Sequence, residues 1–406
     1  MRTSVLRNRS LAALLVAETV STTGSMMTWL ALPWFVLSTT GSAGRMGIVL
    51  AAEALGVALC GIPGGAASAR LGARRTMLVV NAAAAPLILS VPLLHWAGVL
   101  SFGLLLAIVF VLGALFGPYF AAQRVALSEI LGEDEATVSD ANAFLQAATR
   151  VTMLLGPVLA GVLIAAIGAP SVLLVDAATF AFALVAIALF VPAVARPAQT
   201  EESRGVFAGV RYLARDPLLR AWTVTVAVGD AAWNALFATI PFYAFTQYDG
   251  NAKLAGLLFA CFGVSAVVGN VLSFRIRSHV DSYRLIAVGV LAQAAPLWLL
   301  LWAGPAWIVA TALLLSGLAN GIVNPTLHAL LTLAIPPAVR QQALTAFLAA
   351  DQLAAPLGFL GAGFLLARFG VDPIFLLVPA VQTVTMGSRA LATLRGRSLR
   401  PAMVAD

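Results

Sequence analysis

Charged side chains are scarce in this sequence. Asp, Glu, Lys and Arg make up 10% of the 406 residues, and hydrophobic residues make up 61%. Soluble domains contain about 25% charged residues, and a soluble protein of this size could not bury so much apolar surface. The composition therefore excludes a soluble globular protein and predicts an integral membrane protein. Because the apolar runs are continuous rather than alternating, they favour spanning helices over a β-barrel.

Cysteine and the motifs of common catalytic sites are also scarce. Both cysteines, Cys60 and Cys261, lie within apolar runs, so no disulfide framework is predicted. The sequence contains no P-loop, no metal-ligand cluster and no nucleophile triad. We therefore predict that the chain is not an enzyme, does not hydrolyse nucleotides and needs no cofactor, so a proton gradient would have to supply the energy.

Apolar runs long enough to cross a bilayer, which takes about 20 residues, recur along the whole chain. The first run is too long for a signal peptide and has no clear cleavage site, so it is interpreted as a span. The sequence predicts an all-α integral membrane protein with twelve transmembrane helices, over residues 10–37, 44–67, 75–96, 99–122, 139–167, 170–193, 219–246, 253–275, 283–303, 305–333, 341–367 and 371–393.

Arginine is unevenly distributed between the two sides that alternating spans define. Of the 24 Lys and Arg residues, 20 fall on the same side as both termini. Cytoplasmic loops carry the excess of Lys and Arg in membrane proteins. We therefore expect a multi-pass protein of the inner (plasma) membrane with both termini in the cytoplasm, and no nucleic-acid partner.

Two stretches in opposite halves of the chain are copies of one another. Residues 156–168 (GPVLAGVLIAAIG) and 358–370 (GFLGAGFLLARFG) match in Gly and Ala at a constant offset of 202. The repeat predicts two pseudo-symmetric six-helix bundles, residues 1–193 and 219–406, and a cytoplasmic linker over 194–218 that includes a short surface helix. Paired bundles are typical of alternating-access transporters.

These features resemble the major facilitator superfamily. GGAASARLGARR, residues 64–75, is similar to that family's Gly-x-x-x-Asp-Arg-x-Gly-Arg-Arg loop between spans 2 and 3. GPVLAG, with Gly156, Pro157 and Gly161, is similar to the Gly-Pro-x-x-Gly-Gly motif of its antiporters, with alanine in place of one glycine. ALPWFVLSTTGSAGRMGIVLAAEALG and LARDPLLRAW resemble the macrolide-efflux and enterobactin-exporter branch. The resemblance implies a secondary transporter.

The loop between spans 2 and 3 departs from the family pattern at Ala69. The family carries an aspartate there, which helps to close the cytoplasmic side. We expect the arginines to need another acidic partner, for which Glu129 is the candidate; alternatively, they act only as orientation signals. The predicted gating residues are Gly65, Arg70, Gly72, Arg74, Arg75 and Glu129.

Six charged residues lie deep inside predicted spans, away from the span ends, where an unpaired charge at the bilayer centre costs about 2.5–3.5 kcal/mol on insertion scales. Each must face a wet cavity, pair with an opposite charge or be protonated. They are Glu18, Glu53, Arg150, Asp176, Asp230 and Asp351. We expect structural roles for Glu53 and Asp176, and we predict Glu18, Asp230 and Asp351 as the proton-coupling candidates.

Glu18 shares one face of the first span with Ser21, Thr22 and Ser25. A polar stripe on an apolar span predicts a cavity wall. Three roles for Glu18 stay open: proton coupling, a fixed ion pair with Arg150, and contact with a charged substrate.

Asp230 shares one face of span 7 with Trp233 and Asn234. An acid beside an aromatic wall suits a lipophilic cation; alternatively, Asp230 only hydrogen-bonds neighbouring helices. Asp351 stands in span 11 at the repeat position of the stretch that contains Arg150. An arginine in the cavity would instead suit an anionic substrate. The predicted substrate-cavity residues are Ser21, Thr22, Ser25, Trp29, Gln146, Arg150, Trp233, Asn234, Asn320 and Asn324.

Taken together, these patterns predict a monomeric secondary transporter that exports hydrophobic or amphipathic small molecules in exchange for protons, by alternating access. Its partners would be the substrate, protons and the lipid bilayer. Alternatives are a dedicated exporter of one endogenous metabolite, an uptake symporter and a lipid flippase.

Overall fold

The computed structural model describes residues 9–131, 135–192 and 206–399. Within these ranges it describes the backbone alone at positions 62, 65, 66, 69, 124, 127–129, 131, 135–150, 206–208, 338 and 397–399.

The described chain is built from helices, and it contains no β-strand. Twelve helices are long, and one, α7, is short. They are α1 Arg9–Thr40, α2 Ala43–Leu71, α3 Ala73–Trp96, α4 Phe102–Leu131, α5 Glu135–Ile167, α6 Ala169–Phe190, α7 Val206–Arg215, α8 Pro217–Gln247, α9 Ala252–Ile276, α10 Ser282–Ala294 with a 3-10 continuation Ala295–Trp302, α11 Ala306–Ala334, α12 Pro337–Phe369 and α13 Asp372–Leu399.

The long helices correspond one to one to the twelve predicted spans. Among the described residues, ten helices are long and apolar enough to cross a membrane, and α5 contributes a shorter apolar stretch, Val151–Ile167. The exception is α1, because the serines and threonines of its polar stripe dilute its apolar residues. The prediction of an all-α membrane protein with twelve transmembrane helices is confirmed.

The chain divides into two compact units. The first contains Met1–Thr200 and Ala244–Leu257, and the second contains Glu201–Tyr243 and Leu258–Asp406. The turn between α8 and α9 thus belongs to the first unit. The division predicted from the sequence, with a linker at 194–218, stays a prediction.

Small residues let helices of the first unit approach closely. A Cβ added at Gly56 on α2 would overlap the carbonyl oxygen of Phe110 on α4. One added at Gly113 on α4 would overlap the carbonyl oxygen of Glu53 on α2. Close backbone approach through glycine is typical of helix packing in membranes, and it fixes α2 against α4 along the span.

The repeat seen in the sequence has a counterpart in the backbone. Gly168 and Gly370, 202 residues apart, stand at the ends of α5 and α12 with φ of +81° and +73°, which side chains disfavour. Gly156 on α5 packs against Met26 on α1, and Gly358 on α12 packs against Ala231 on α8. In each half, therefore, a glycine at the equivalent repeat position lets the fifth long helix pack closely against the first long helix.

The short helix α7 is strongly amphipathic and leads directly into α8. Leu213 is buried on one face, and Arg211 and Arg215 are exposed on the other. The carboxylate of Asp216 then accepts hydrogen bonds from the backbone N–H groups of Leu218 and Leu219, at 2.9 and 3.1 Å. Asp216 followed by proline is a favourable helix start, so the Asp-Pro of LARDPLLRAW begins α8.

Candidate functional site

The second unit brings three charged side chains together, of which Arg389 is buried and Asp230 and Asp351 are half-buried. Asp230 on α8 and Asp351 on α12 interact electrostatically. Arg389 on α13 interacts electrostatically with both. Only 5% of the surface of Arg389 is exposed. The structure thus brings together two of the predicted proton-coupling residues and adds a cation that the sequence analysis placed on the cytoplasmic side.

Two ionised carboxylates placed next to each other repel, so a proton bound by the pair stabilises their association. Among the described residues, the Oδ1 atom of Asp351 is buried and finds no N–H or O–H donor. Asp351 is therefore not held by fixed donors at this oxygen, unlike a carboxylate with a purely structural role. The arrangement is chemically suited to bind and release a proton.

Arg389 is anchored by its neighbours on α8. Its Nε donates a hydrogen bond to Oγ1 of Thr225 at 3.2 Å. Gln382 lies on the same face of α13, two turns before Arg389. Its Nε2 donates a hydrogen bond to the backbone carbonyl of Gly229 at 2.7 Å. Gly229 lies next to the guanidinium: a Cβ at this position would make an ordinary van der Waals contact with Nη2 of Arg389, at 3.7 Å. These contacts fix Arg389 against α8, the helix that carries Asp230.

A polar cavity of about 90 Å³ opens beside the charged cluster. It has room for several water molecules. On α11, the amide of Asn324 donates to Oδ1 of Asn320 at 3.1 Å, and His328 interacts electrostatically with Asp351. The cavity is lined by Val226, Asp230, Gln293, Asn320, Asn324, Leu327, His328, Phe347, Leu348, Asp351, Met386 and Arg389. The predicted pair Asn320 and Asn324 thus faces the same space as the acids.

The two other predicted cavity residues of α8 do not line this cavity. Trp233 packs in an aromatic cluster, with ring centroids 5.5 Å from Phe237 and 5.0 Å from Phe262. Asn234 turns its amide back to the carbonyl oxygen of Asp230, at 2.7 Å. Helical spacing placed them on the face of Asp230, but the cavity occupies only the part of that face nearest to α11, α12 and α13.

In the first unit, Glu18 is enclosed by hydrogen-bond donors. Tyr119 Oη donates to Oε1 of Glu18 at 2.7 Å, and Gln123 Nε2 donates to Oε2. Glu18 is 1% exposed. Both donors come from α4, one turn apart, so this one helix binds both oxygens of the carboxyl group. Whether Glu18 also meets Arg150 lies outside the described side chains.

An apolar cavity of about 50 Å³ lies beside this cluster. Ser21, Thr22 and Ser25 of the predicted stripe line it, together with Tyr119. The hydroxyl of Ser25 donates to the carbonyl oxygen of Ser21 at 3.2 Å, so the wall is less polar than its sequence suggests. The remaining lining residues are Met26, Val80, Ala84, Leu112, Leu115, Phe116, Phe120 and Phe180. The predicted Trp29 is not among them.

Two acids for which we expected separate structural roles come together. Asp176 on α6 accepts hydrogen bonds from Oγ1 of Thr28 at 2.5 Å and Oγ1 of Thr179 at 3.1 Å. Glu53 on α2 interacts electrostatically with Asp176. Gly24 is required here, because a Cβ would overlap the side chains of Asp176 and Thr179. Asp176 is therefore held by its own hydroxyl donors.

The arginine loop between α2 and α3 finds a partner that is not an acid. Arg74 donates from Nε to the carbonyl oxygen of Val191 at 2.5 Å and from Nη2 to that of Ala188 at 2.8 Å. These carbonyls end α6, where the helix dipole favours a cation. Gly72, with φ of +85°, ends α2 and begins α3. Arg70 and Arg75 are exposed.

The antiporter-like motif packs against the first turn of α9. A Cβ added at Gly161 would approach the carbonyl oxygen of Ala252, and one added at Gly256 would overlap that of Pro157. Gly161, Pro157 and Gly256 thus act as close-contact positions within the first unit. Of the remaining predicted residues, the side chains of Gln146, Arg150 and Glu129 and the surroundings of Gly65 lie outside what the structure describes.

Arg389 is a site residue of the second unit that the sequence did not reveal. It lies near Arg395 and Arg397, and all were assigned to the cytoplasmic side by the excess of arginine there. A signal was present: Gln382, Thr385 and Arg389 fall on one face of α13 at helical spacing. Tyr119 and Gln123 were not predicted, because their partner Glu18 lies on another helix, and the sequence does not show which helices are in contact.

Comparison with known proteins gives a consistent result. The family model described as Major Facilitator Superfamily matches residues 14–359 and 249–393. The multidrug efflux pump Tap of Mycobacterium tuberculosis is 26% identical over 406 residues, covering 96% of this chain and 94% of its own. Tap of Mycolicibacterium fortuitum is 26% identical over 382 residues, covering 90% and 91%. A crystal structure of the nucleoside transporter NupG superposes with a TM-score of 0.72 at 12% identity, over 95% and 99% of the two chains.

Proposed function

Because the chain belongs to the Major Facilitator Superfamily, we propose that this transporter exports hydrophobic or amphipathic cations in exchange for protons. The observation that carries the proposal is the pair of acids, Asp230 and Asp351, that interact with each other and line one polar cavity. The proton that joins the two groups is the coupled ion. A substrate cation takes its place.

Exchange follows from the energetics of charge in a membrane. A negative charge deep in a span is costly unless it is compensated. When the proton leaves, the pair gains a negative charge that a bound cation neutralises; when the cation leaves, a proton neutralises it again. Proton and cation therefore compete for the same carboxyl groups, and a transporter that alternates between the two sides of the membrane converts this competition into exchange.

The relatives support the direction and the substrate class. The full-length similarity to proteins described as multidrug efflux pumps favours export of more than one compound. Export would take place from the cytoplasm across the plasma membrane, with both termini inside the cell, as the distribution of arginine predicts.

The charge of the cluster disfavours an exporter of anionic metabolites. Two acids and one arginine line the same cavity, so an anion there would meet either a neutral or a negatively charged cluster. The substrate most compatible with the cavity is a monovalent organic cation.

The test is accumulation of a fluorescent lipophilic cation in a pump-deficient bacterium that expresses the protein. We expect lower accumulation than with an empty vector, and restoration by an uncoupler that collapses the proton gradient. Asp230→Asn should abolish protection. Asp249→Asn is the matched control: Asp249 is exposed in the turn after α8, with φ of +48°, a conformation that asparagine tolerates.

Equal accumulation with wild type and empty vector would contradict export of such cations. Protection that persists with Asp230→Asn at equal expression would contradict the role of the carboxyl pair. Protection that an uncoupler leaves intact would contradict proton coupling.

A further inference from the structure

The cluster of the second unit contains more acidic than basic side chains. Asp230 and Asp351 contribute two acids, and Arg389 contributes one permanent cation. With no proton bound the three groups sum to a charge of −1, and with one proton they are neutral. Without Arg389 the same two acids would carry −2 and would need two protons to become neutral. The number of protons that the site exchanges thus depends on the arginine.

We propose that Arg389 is a positioning residue that turns the Asp230–Asp351 pair into a site for one proton or one monovalent organic cation. The inference rests on the proposed function, and it adds the stoichiometry and the residue that sets it. One carboxylate is permanently balanced by the guanidinium. The other negative charge is shared across the pair and is the one that proton and cation contest.

The packing of Arg389 makes this balance permanent. Arginine side chains near a helix end commonly extend to the membrane surface, but Arg389 is 5% exposed and donates from Nε to Thr225. Its backbone carbonyl accepts a hydrogen bond from Oγ1 of Thr393 at 2.7 Å, and Nε1 of Trp222 in turn donates to that hydroxyl at 3.0 Å. The helix bearing the arginine is therefore tied to α8 on both sides of the guanidinium.

Four of the five helices around the cavity contribute titratable or charged groups, and α10 contributes only the uncharged Gln293. The titratable or charged groups are Asp230 on α8, His328 on α11, Asp351 on α12 and Arg389 on α13. His328 lines the cavity and interacts electrostatically with Asp351. Arg389 interacts with both acids, so it acts on the site through them and not by contact with a cationic substrate, which it would repel.

The proposal is tested by binding of radiolabelled tetraphenylphosphonium to the purified full-length protein in detergent, as a function of pH. Cation binding should increase with pH as the shared proton leaves. In Arg389→Gln the acids lose their permanent counter-charge and hold protons more tightly. An arginine near an aspartate changes the proton affinity by about one to three pH units, so we expect the pH of half-maximal binding to rise by at least about one unit.

A second substitution distinguishes charge balance from a structural role. In Arg389→Gln with Asp351→Asn, one acid and no arginine remain, so the cluster again exchanges a single charge. We expect the pH of half-maximal binding to return toward the wild-type value. Arg389→Lys keeps the charge and should stay close to wild type. All variants are compared at equal monodispersity by size-exclusion chromatography and at equal thermal unfolding temperature.

Proton release gives an independent measure of the stoichiometry. In a weakly buffered solution with a pH indicator, wild-type protein should release one proton per tetraphenylphosphonium bound, at a pH below the half-maximal value. Asp230→Asn should release none.

The outcomes separate the inference from the proposed function. If wild type binds no cation at any pH, both are refuted. If Asp230→Asn abolishes binding while Arg389→Gln keeps the wild-type pH profile, the carboxyl pair stands and the role of Arg389 is refuted. If Arg389→Gln loses binding and the second substitution restores nothing, Arg389 serves the fold alone and the inference is refuted.

Discussion

Replacing Tyr119 by phenylalanine tests how Glu18 is held in the first unit. The substitution removes one hydroxyl and leaves the ring, so packing against α1 is retained. The hydroxyl donates to Oε1 of Glu18 at 2.7 Å, and the carboxyl group is 1% exposed. Water therefore cannot replace the lost donor.

The expected magnitude depends on the charge of the acceptor. A hydrogen bond to a charged group contributes about 1.5–3 kcal/mol, and one between neutral groups about 0.5–1.5 kcal/mol. Tyr243 provides the matched control, because its hydroxyl donates to the backbone carbonyl of Ala303 at 3.0 Å, a neutral acceptor. We expect Tyr119→Phe to lower the free energy of unfolding by about 1.5–3 kcal/mol and Tyr243→Phe by about 0.5–1.5 kcal/mol.

The assay is urea unfolding of the purified protein in detergent micelles, extended to a double-mutant cycle with Glu18→Gln. In the Glu18→Gln background the acceptor is neutral, so Tyr119→Phe should cost about 1 kcal/mol less than in wild type. Repeating the cycle over a range of pH also tests whether Glu18 gains and loses a proton. A Glu18 that gains and loses a proton would show a coupling energy that falls as pH falls, whereas a fixed ionised group would show a constant one. Equal costs for the two tyrosines, with no coupling to Glu18, would refute the reasoning.

Three further substitutions test the contacts that position the helices. Gly24→Ala should lower the free energy of unfolding by about 1–3 kcal/mol, because its Cβ would overlap the side chains of Asp176 and Thr179; Gly103→Ala, with open space around it, should cost nothing. Gly358→Ala should cost about 3 kcal/mol, the upper end of that range, because its Cβ would overlap the backbone of Ala231, which cannot rotate away; Gly361→Ala on the same helix has open space and is the control. Arg74→Gln should cost about 1.5 kcal/mol through loss of its bonds to the end of α6, whereas the exposed Arg75→Gln should change stability by less than about 0.5 kcal/mol. Equal effects within any of these pairs, measured by urea unfolding, would contradict the corresponding contact.

The fold was predictable because its main determinant, continuous apolar length, is local in the sequence. The spans were found from length and composition, and the ends of the repeat from glycines whose positive φ the structure now explains. The boundaries that differed most lie at the C-terminal ends of α4 and α13, which continue nine and six residues past the predicted spans.

The site was only partly predictable, because partners across helices are not encoded locally. Helical spacing identified Asp230 and the stripe of Asn320 and Asn324, which face one cavity. Helical spacing could not predict that Asp351 interacts with Asp230, or that Arg389 is buried and not in the cytoplasmic loop. Orientation rules count every arginine equally, so an arginine buried by packing is assigned to the nearest loop.

The two halves have equivalent helices and equivalent glycine contacts, but their charged residues lie at different positions. Taking the repeat offset of 202 for α12 and α13, the positions of Asp351 and Arg389 correspond to Thr149 and Ile187 in the first half. The glycine contacts pair Met26 with Ala231, which makes Ser25 the counterpart of Asp230. None of the three charges of the cluster has a charged counterpart, whereas the glycines that set helix separation do. The first half instead places an apolar, aromatic cavity beside an enclosed carboxyl group. Duplication therefore conserved the geometry that lets each half pack, and the chemistry diverged on it: on the proposed function, the second half holds the exchangeable proton.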